Sequence, residues 1–188
     1  MEERTVIETT NLKLIPCELK HFEAILKDQE QLEEMLGVTV FDSWFDFPGV
    51  ASIEAMRFLY EHLRANPDVL GWWTYLFIHV EDNVLVGLDG YKGKADESGM
   101  VEIGYAIVPA YRCRALATEA AQGFIDHAFS HVHIKRVDAH TLAERNASTK
   151  VLEKVGMKHV GTVPDPDHGE IWYWSLRKRD LKAARPSR

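Results

Sequence analysis

The stretch Glu102-Ile103-Gly104-Tyr105-Ala106-Ile107-Val108-Pro109-Ala110-Tyr111-Arg112-Cys113-Arg114-Ala115-Leu116-Ala117-Thr118-Glu119-Ala120-Ala121 decides how the chain reads. An apolar run ends at Pro109, Arg112 and Arg114 follow, and an amphipathic pattern starts at Leu116. Proline suits a strand end because it has no N–H for a ladder. A strand, a short basic turn and a helix N-terminus make a site for a phosphate-bearing ligand. The first amides of the helix have no intrahelical acceptor, and the positive end of its dipole faces the turn.

Upstream, Thr10 to Pro16 reads as a strand and Cys17 to about Gln29 as a helix with Leu19, Phe22, Ile25 and Leu26 on one face. Gln31 to Val50 reads as irregular, with Phe41, Trp44, Phe45 and Phe47 close together, and Ser52 as the N-cap of a helix through Arg64. Trp73 to Val80 and Asn83 to Tyr91 form a hairpin, and Met100 to Val108 one further strand. Downstream come a helix over Leu116 to Phe129, a strand over Arg136 to His140, and a helix over Ala147 to Val155 closed by Gly156. Lys158 to Val163 and Ile171 to Arg177 are two last strands around a Pro164 to Glu170 loop. The order β-α-α-β-β-β-α-β-α-β-β, without repeats or a low-complexity linker, gives an α/β (α+β) class and a single domain over 1–188, with a basic tail from about Lys178.

Composition narrows the function. With 46% hydrophobic and 27% charged residues, the 188-residue chain is that of an ordinary globular protein. Its apolar runs are too short to span a bilayer, and the charged Met1-Glu2-Glu3-Arg4 leads to no secretory signal core, so no membrane partner and a cytoplasmic location are expected. A net charge of −7 disfavours nucleic acid and is compatible with a cationic amine substrate. Cys17 and Cys113 match no metal spacing and read as reduced thiols. His127, His131, His133 and His140 straddle a helix end and a strand, which argues for surface or packing roles and no metal.

A second motif follows: Glu144-Arg145-Asn146-Ala147-Ser148-Thr149-Lys150-Val151-Leu152-Glu153-Lys154-Val155-Gly156-Met157. Its Asn-led helix resembles the Asn-x-x-Ser-x-x-x-Leu-x-x-x-Gly-Phe segment of the GNAT superfamily of N-acetyltransferases, although here the Ser comes two residues after the Asn. The turn Arg112-Cys113-Arg114-Ala115-Leu116-Ala117 resembles the family's Arg/Gln-x-x-Gly-x-Gly/Ala motif, and Thr118-Glu119-Ala120 its usual helix opening. The likeness covers nearly the whole chain, is strongest from Val101 to Val160, and is closest to the branch with the ribosomal-protein N-terminal alanine acetyltransferases (RimJ/RimL-like).

The resemblance implies a mixed, mostly antiparallel twisted sheet of about seven strands with about four helices, splayed between the fourth and fifth strands. It implies acetyl-CoA as co-substrate, with the pyrophosphate on the turn Arg112, Cys113, Arg114, Ala115, Leu116, Ala117 and Thr118. The pantetheine arm would pair with Ile107 and Val108 and with Asn146, in the manner of an added strand. Asn146 would also serve as a plain N-cap. Cys113 and Ala115 stand where glycines are usual. Helical φ/ψ would let Ala115 keep its β-carbon, and Cys113 is the less comfortable replacement.

Acyl transfer to an amine needs a base, a stabilised oxyanion and an acid for the departing thiolate. Glu102 is the candidate base and would share a face with Gly104 and Ala106. The N–H of Ile107 or Val108 is the oxyanion donor, and Ser148 the acid. No tyrosine occurs at the helix position many relatives use, and Tyr105 or Tyr173 could substitute. The function expected is acetyl transfer to a primary amine, either a small molecule or a protein N-terminus. The alternative is a catalytically weak acyl-CoA-binding or interaction module. The Phe41 to Phe47 cluster and Asp165-Pro166-Asp167 suggest a partly apolar acceptor groove with a negative rim, and homodimerisation is a family expectation.

Overall fold

The computed structural model describes residues 5–41 and 52–184. The Phe41 to Phe47 cluster therefore lies outside the described residues except for Phe41, which packs on Tyr111 with ring centroids 6.1 Å apart. The strands are β1 (Ile7–Glu8), β2 (Leu12–Pro16), β3 (Thr74–His79), β4 (Val84–Gly90), β5 (Met100–Glu102), β6 (Ala106–Ile107), β7 (Arg136–Leu142), β8 (Lys158–Asp165) and β9 (Gly169–Arg177). The helices are α1 (Leu19–Lys27), α2 (Gln29–Leu36), α3 (Ile53–Ala65), α4 (Leu116–Ser130), α5 (Ala147–Lys154) and α6 (Lys178–Ala184).

These strands form two sheets, ordered β1-β2-β3-β4-β6 and β5-β7-β9-β8. The first is antiparallel throughout, and in the second only β5 and β7 run parallel. All six residues of β3 are buried, as expected for a strand covered on both faces. On one face Tyr75 and Phe77 meet Phe124 of α4. That helix buries Leu116, Ala120, Ala121, Phe124, Ile125 and Ala128, so the helical apolar spacing read from the sequence is its core stripe.

The segment expected as one strand, Met100 to Val108, divides between the sheets. Ile103 N–H donates to Asp138 O (2.9 Å) in the second sheet, and Gly104 N–H donates to Gly90 O (2.8 Å) beside the first. Consecutive amides thus point to different sheets, and the chain crosses the splay between residues 103 and 104. Gly104 suits the crossing because a β-carbon there would run into the Asp89 carboxylate. The splay lies inside the expected fourth strand as well as beside it.

Other differences are local. The helix expected over Cys17 to Gln29 breaks at Asp28, which is extended (φ −158°) and accepts from Gln31 N–H to start α2 inside the segment expected to be irregular. The Pro164 to Glu170 loop shrinks to a turn after Asp165, whose Oδ1 accepts from the N–H groups of Asp167 and His168. The start of the basic tail is the helix α6. β1 and the divided strand account for nine strands where about seven were expected. No described helix is long and apolar enough to cross a membrane.

Candidate functional site

The splay opens a cavity of about 660 Å³. Its walls are the β6 strand, the turn before α4, the first turn of α4, and one face of α5. On the β6 side, Ile107 lies opposite Gly87, and Val108 N–H donates to Val86 O at 2.9 Å. Antiparallel alternation therefore turns the N–H and C=O of Ile107 away from β4, toward the gap. Of the two expected oxyanion donors, Ile107 is so directed. Val108 is fully buried with its amide committed to β4, and is not part of the lining.

Arg112 folds back and donates from Nε to Ile107 O at 3.0 Å, tying the strand end to the turn. Cys113 and Ala115 both have φ of 62°, and Ala115 has ψ of 4°. Ala115 is thus left-handed, not helical as expected. Both replacements sit in the conformation that favours glycine. Leu116, Ala117 and Thr118 open α4 and line the cavity, where the first-turn amides lack intrahelical acceptors. Arg114 is turned elsewhere: its guanidinium lies 4.6 Å from the Tyr111 ring centre and 3.8 Å from Asp82 Oδ2. Glu119 anchors α4 to the β1–β2 turn by accepting from Thr9 Oγ1 (2.6 Å) and Asn11 Nδ2 (2.9 Å).

Across the gap, Asn146 caps α5. Its Oδ1 accepts from Thr149 N–H (3.1 Å), while Thr149 Oγ1 accepts from Asn146 N–H (3.1 Å), a reciprocal capping box. Gly156, at φ 85°, closes the other end, with Met157 N–H on Leu152 O (3.0 Å). Ser148 faces the cavity, and Tyr105 Oη lies 3.1 Å from both its Oγ and its carbonyl oxygen. Burial pushes the Tyr105 phenol up to about 12, with the Ser148 hydrogen bond offsetting part of the rise. The sequence reading did not assign the cavity-lining Lys150, Val151 and Lys154. The signal was present: with Ala147 they recur at the three- and four-residue spacing of one helix face.

Glu102 is not among the lining residues. It ends β5 just before the crossing, with Oε1 3.0 Å from His140 Nδ1. His140 stacks on Tyr173 at 5.3 Å, and Tyr173 Oη donates to Asp138 Oδ2 at 2.6 Å. Tyr173 therefore stands with Asp138 and His140, while Tyr105 stands with Ser148. His127, His131 and His133 form a separate run of ring contacts with Trp72 and Tyr91, and no group of metal-ligating side chains occurs among the described residues.

Residues 11–158 match the acetyltransferase (GNAT) domain. The chain is 30% identical over 151 residues to the uncharacterized N-acetyltransferase YjdG of Bacillus subtilis, covering 80% of this chain and 88% of that one. In fold it resembles a GNAT-family acetyltransferase of Bacillus anthracis (TM-score 0.65, 24% identity, 93% of this chain and 99% of the other). It also resembles RimL, a ribosomal L7/L12 alpha-N-protein acetyltransferase whose structure holds coenzyme A (TM-score 0.65, 16% identity, 92% and 98%). The matched domain covers most of the chain and includes β6, the basic turn, α4 and α5: the chain belongs to the GNAT acetyltransferase family.

Proposed function

We propose that the protein transfers an acetyl group from acetyl-CoA to a primary amine, a small molecule or a protein N-terminus, by direct attack in a ternary complex. The observation that carries the reading is the continuity of one cavity from the outward-facing backbone of Ile107 to the first amides of α4. An extended amide arm fits the strand edge, and phosphate groups fit the helix amides. Arg112, Lys150 and Lys154 add positive charge to the same walls.

Acetyl-CoA supplies a thioester. The amine nitrogen forms a bond to its carbonyl carbon as the C–S bond breaks. Glu102, oriented by His140, accepts the amine proton through water. Ile107 N–H donates to the developing oxyanion. Ser148, coupled to Tyr105, donates a proton to the departing thiolate. Asn146 keeps its capping role and presents the first turn of α5 to the cavity.

One observation favours a second reading, that of a weak acyl-CoA-binding or interaction module. Cys113 and Ala115 place β-carbons at left-handed positions in the phosphate turn. Thermal unfolding with acetyl-CoA and a free-thiol assay over an amine panel separate the two. Saturation at one hundred times Kd adds roughly 2.7 kcal/mol. Stabilisation with thiol release supports transfer. Stabilisation without release on any amine supports the binding module, and neither effect removes both.

A further inference from the structure

The face of the second sheet that bears Glu102 carries cations that the transfer step does not use. Residues paired across strands point to the same side, so Glu102, Asp138, Ser175 and Lys158 form one row over β5, β7, β9 and β8. The row beside it holds Arg136 and Arg177, which are paired with each other. These cations, with Tyr173, Ser175 and Asp180, line a separate cavity of about 330 Å³.

The polar groups at its floor are already ordered. Asp138 is 2% exposed and accepts from Tyr173 Oη (2.6 Å) and Ser175 Oγ (2.7 Å), with Arg136 Nε 3.1 Å from its Oδ2. That arrangement pairs the charges of Arg136 and Asp138 and fixes both hydroxyls, although the buried Arg136 Nε makes no hydrogen bond. Asp180 lies 3.8 Å from Arg179. Lys158 and Arg177, both exposed, form no ion pair among the described residues, and with Arg136 they outnumber the one carboxylate, Asp180, that lines the same cavity. In a chain of net charge −7 this is a local reversal of sign.

From these facts, and resting on Glu102 as the base of the proposed transfer, we infer that the acceptor is a primary amine bearing an anionic group, carboxylate or phosphate, held by Lys158 and Arg177 while its nitrogen lies at Glu102. The strand spacing sets the reach. Arg136 is one strand across and two residues along from Glu102, roughly 8 Å by sheet geometry, and Lys158 lies three strands away, roughly 14 Å. The acidic Asp165 turn, expected to give an acceptor groove a negative rim, sits at the other end of the β8–β9 hairpin: Asp165 pairs with Gly169, and Lys158 with Ser175.

The test compares matched acceptors with acetyl-CoA: ω-amino acids and ω-aminoalkyl phosphonates of about four to eight carbons, each beside its neutral amino alcohol. The phosphonate and carboxylate arms distinguish the two anions. The expected result is a kcat/KM at least about tenfold higher for one anionic series, falling to the neutral value in Lys158→Ala/Arg177→Ala with neutral acceptors unaffected. Arg136 is left intact because its loss strands the buried Asp138 carboxylate. Equal rates for anionic and neutral acceptors, or a preference that survives the double variant, overturn the inference and leave the transferase reading standing. Calorimetric titration of the protein alone with inorganic phosphate gives a readout independent of turnover. Loss of a binding component in the double variant supports the anion pocket even if no amine is acetylated, a result that would remove the transferase reading instead. An isotherm unchanged by the double variant overturns the pocket.

Discussion

Tyr105 Oη stands 3.1 Å from Ser148 Oγ, joining the segment before β6 to the first turn of α5 across the gap between the sheets. Burial pushes the Tyr105 phenol up to about 12, so it stays protonated at neutral pH, as the proposed proton donation through Ser148 requires. Tyr105→Phe should lower kcat about tenfold with little change in KM for acetyl-CoA, and Ser148→Ala at least as much. Groups that work as a unit are not additive, so the double variant should be no slower than the slower single one. Steady-state thiol release measures this, and multiplicative losses would mean the two hydroxyls act separately.

The turn before α4 gives a stability prediction. Cys113 and Ala115 each have φ of 62°, where a β-carbon costs about 1–2 kcal/mol. Glycine removes that cost but loses about 0.4–1 kcal/mol through the freer unfolded chain. Cys113→Gly and Ala115→Gly should each therefore stabilise by about 0.5–1 kcal/mol, a rise of roughly 2–3 °C in thermal midpoint. A lowered midpoint for either variant would show that the side chain makes contacts worth more than the backbone strain.

Those two positions mark where the sequence stopped being legible. α4 and α5 could be read because their apolar spacing, the Asn146 cap and the Gly156 terminus are local signals that agree. Left-handed backbone is announced by glycine, and Ala115 gives no such sign. The division of Met100 to Val108 was hidden because period-two alternation runs on through a crossing that only Gly104 marks. The polar face of the second sheet had no local signal. Tyr173 and Ser175 meet Asp138 from 35 and 37 residues away, and only the β7–β9 register brings them together.

His127 should make stability depend on pH. Its ring lies 2.8 Å from Tyr91 Oη and packs against Trp72 and His131. Burial first, and the His131 charge second, pull its pKa down from 6.5 to about 4. The folded state thus refuses a proton that the unfolded chain accepts. Its contribution is complete above pH 6.5 and is lost as pH falls toward 4. The ring is partly solvated, so the loss is discounted to on the order of 1 kcal/mol. Urea unfolding of the native protein and His127→Gln at several pH values checks it. Both share the carboxylate titrations, so the native curve should fall more steeply through that window, and parallel curves would contradict the shift.

Glu102 carries the sharpest kinetic prediction. Its Oε1 is 3.0 Å from His140 Nδ1, and both side chains are close to a third exposed, at 31% and 28%. A carboxylate held this way keeps access to water and to an incoming amine while its orientation is fixed by the imidazole. Glu102→Gln should therefore cut kcat/KM by about 10²-fold or more at neutral pH, with acetyl-CoA binding unchanged. On the proposed mechanism His140 acts only through its contact with the Glu102 carboxylate, so His140→Ala should cost less, about tenfold, and should alter the pH–rate profile in the native background. In the Glu102→Gln background it should add little, because the residue it orients is already disabled. A Glu102→Gln enzyme with native rate and native pH profile would remove Glu102 from the mechanism and transfer the base role to another group on the same sheet face.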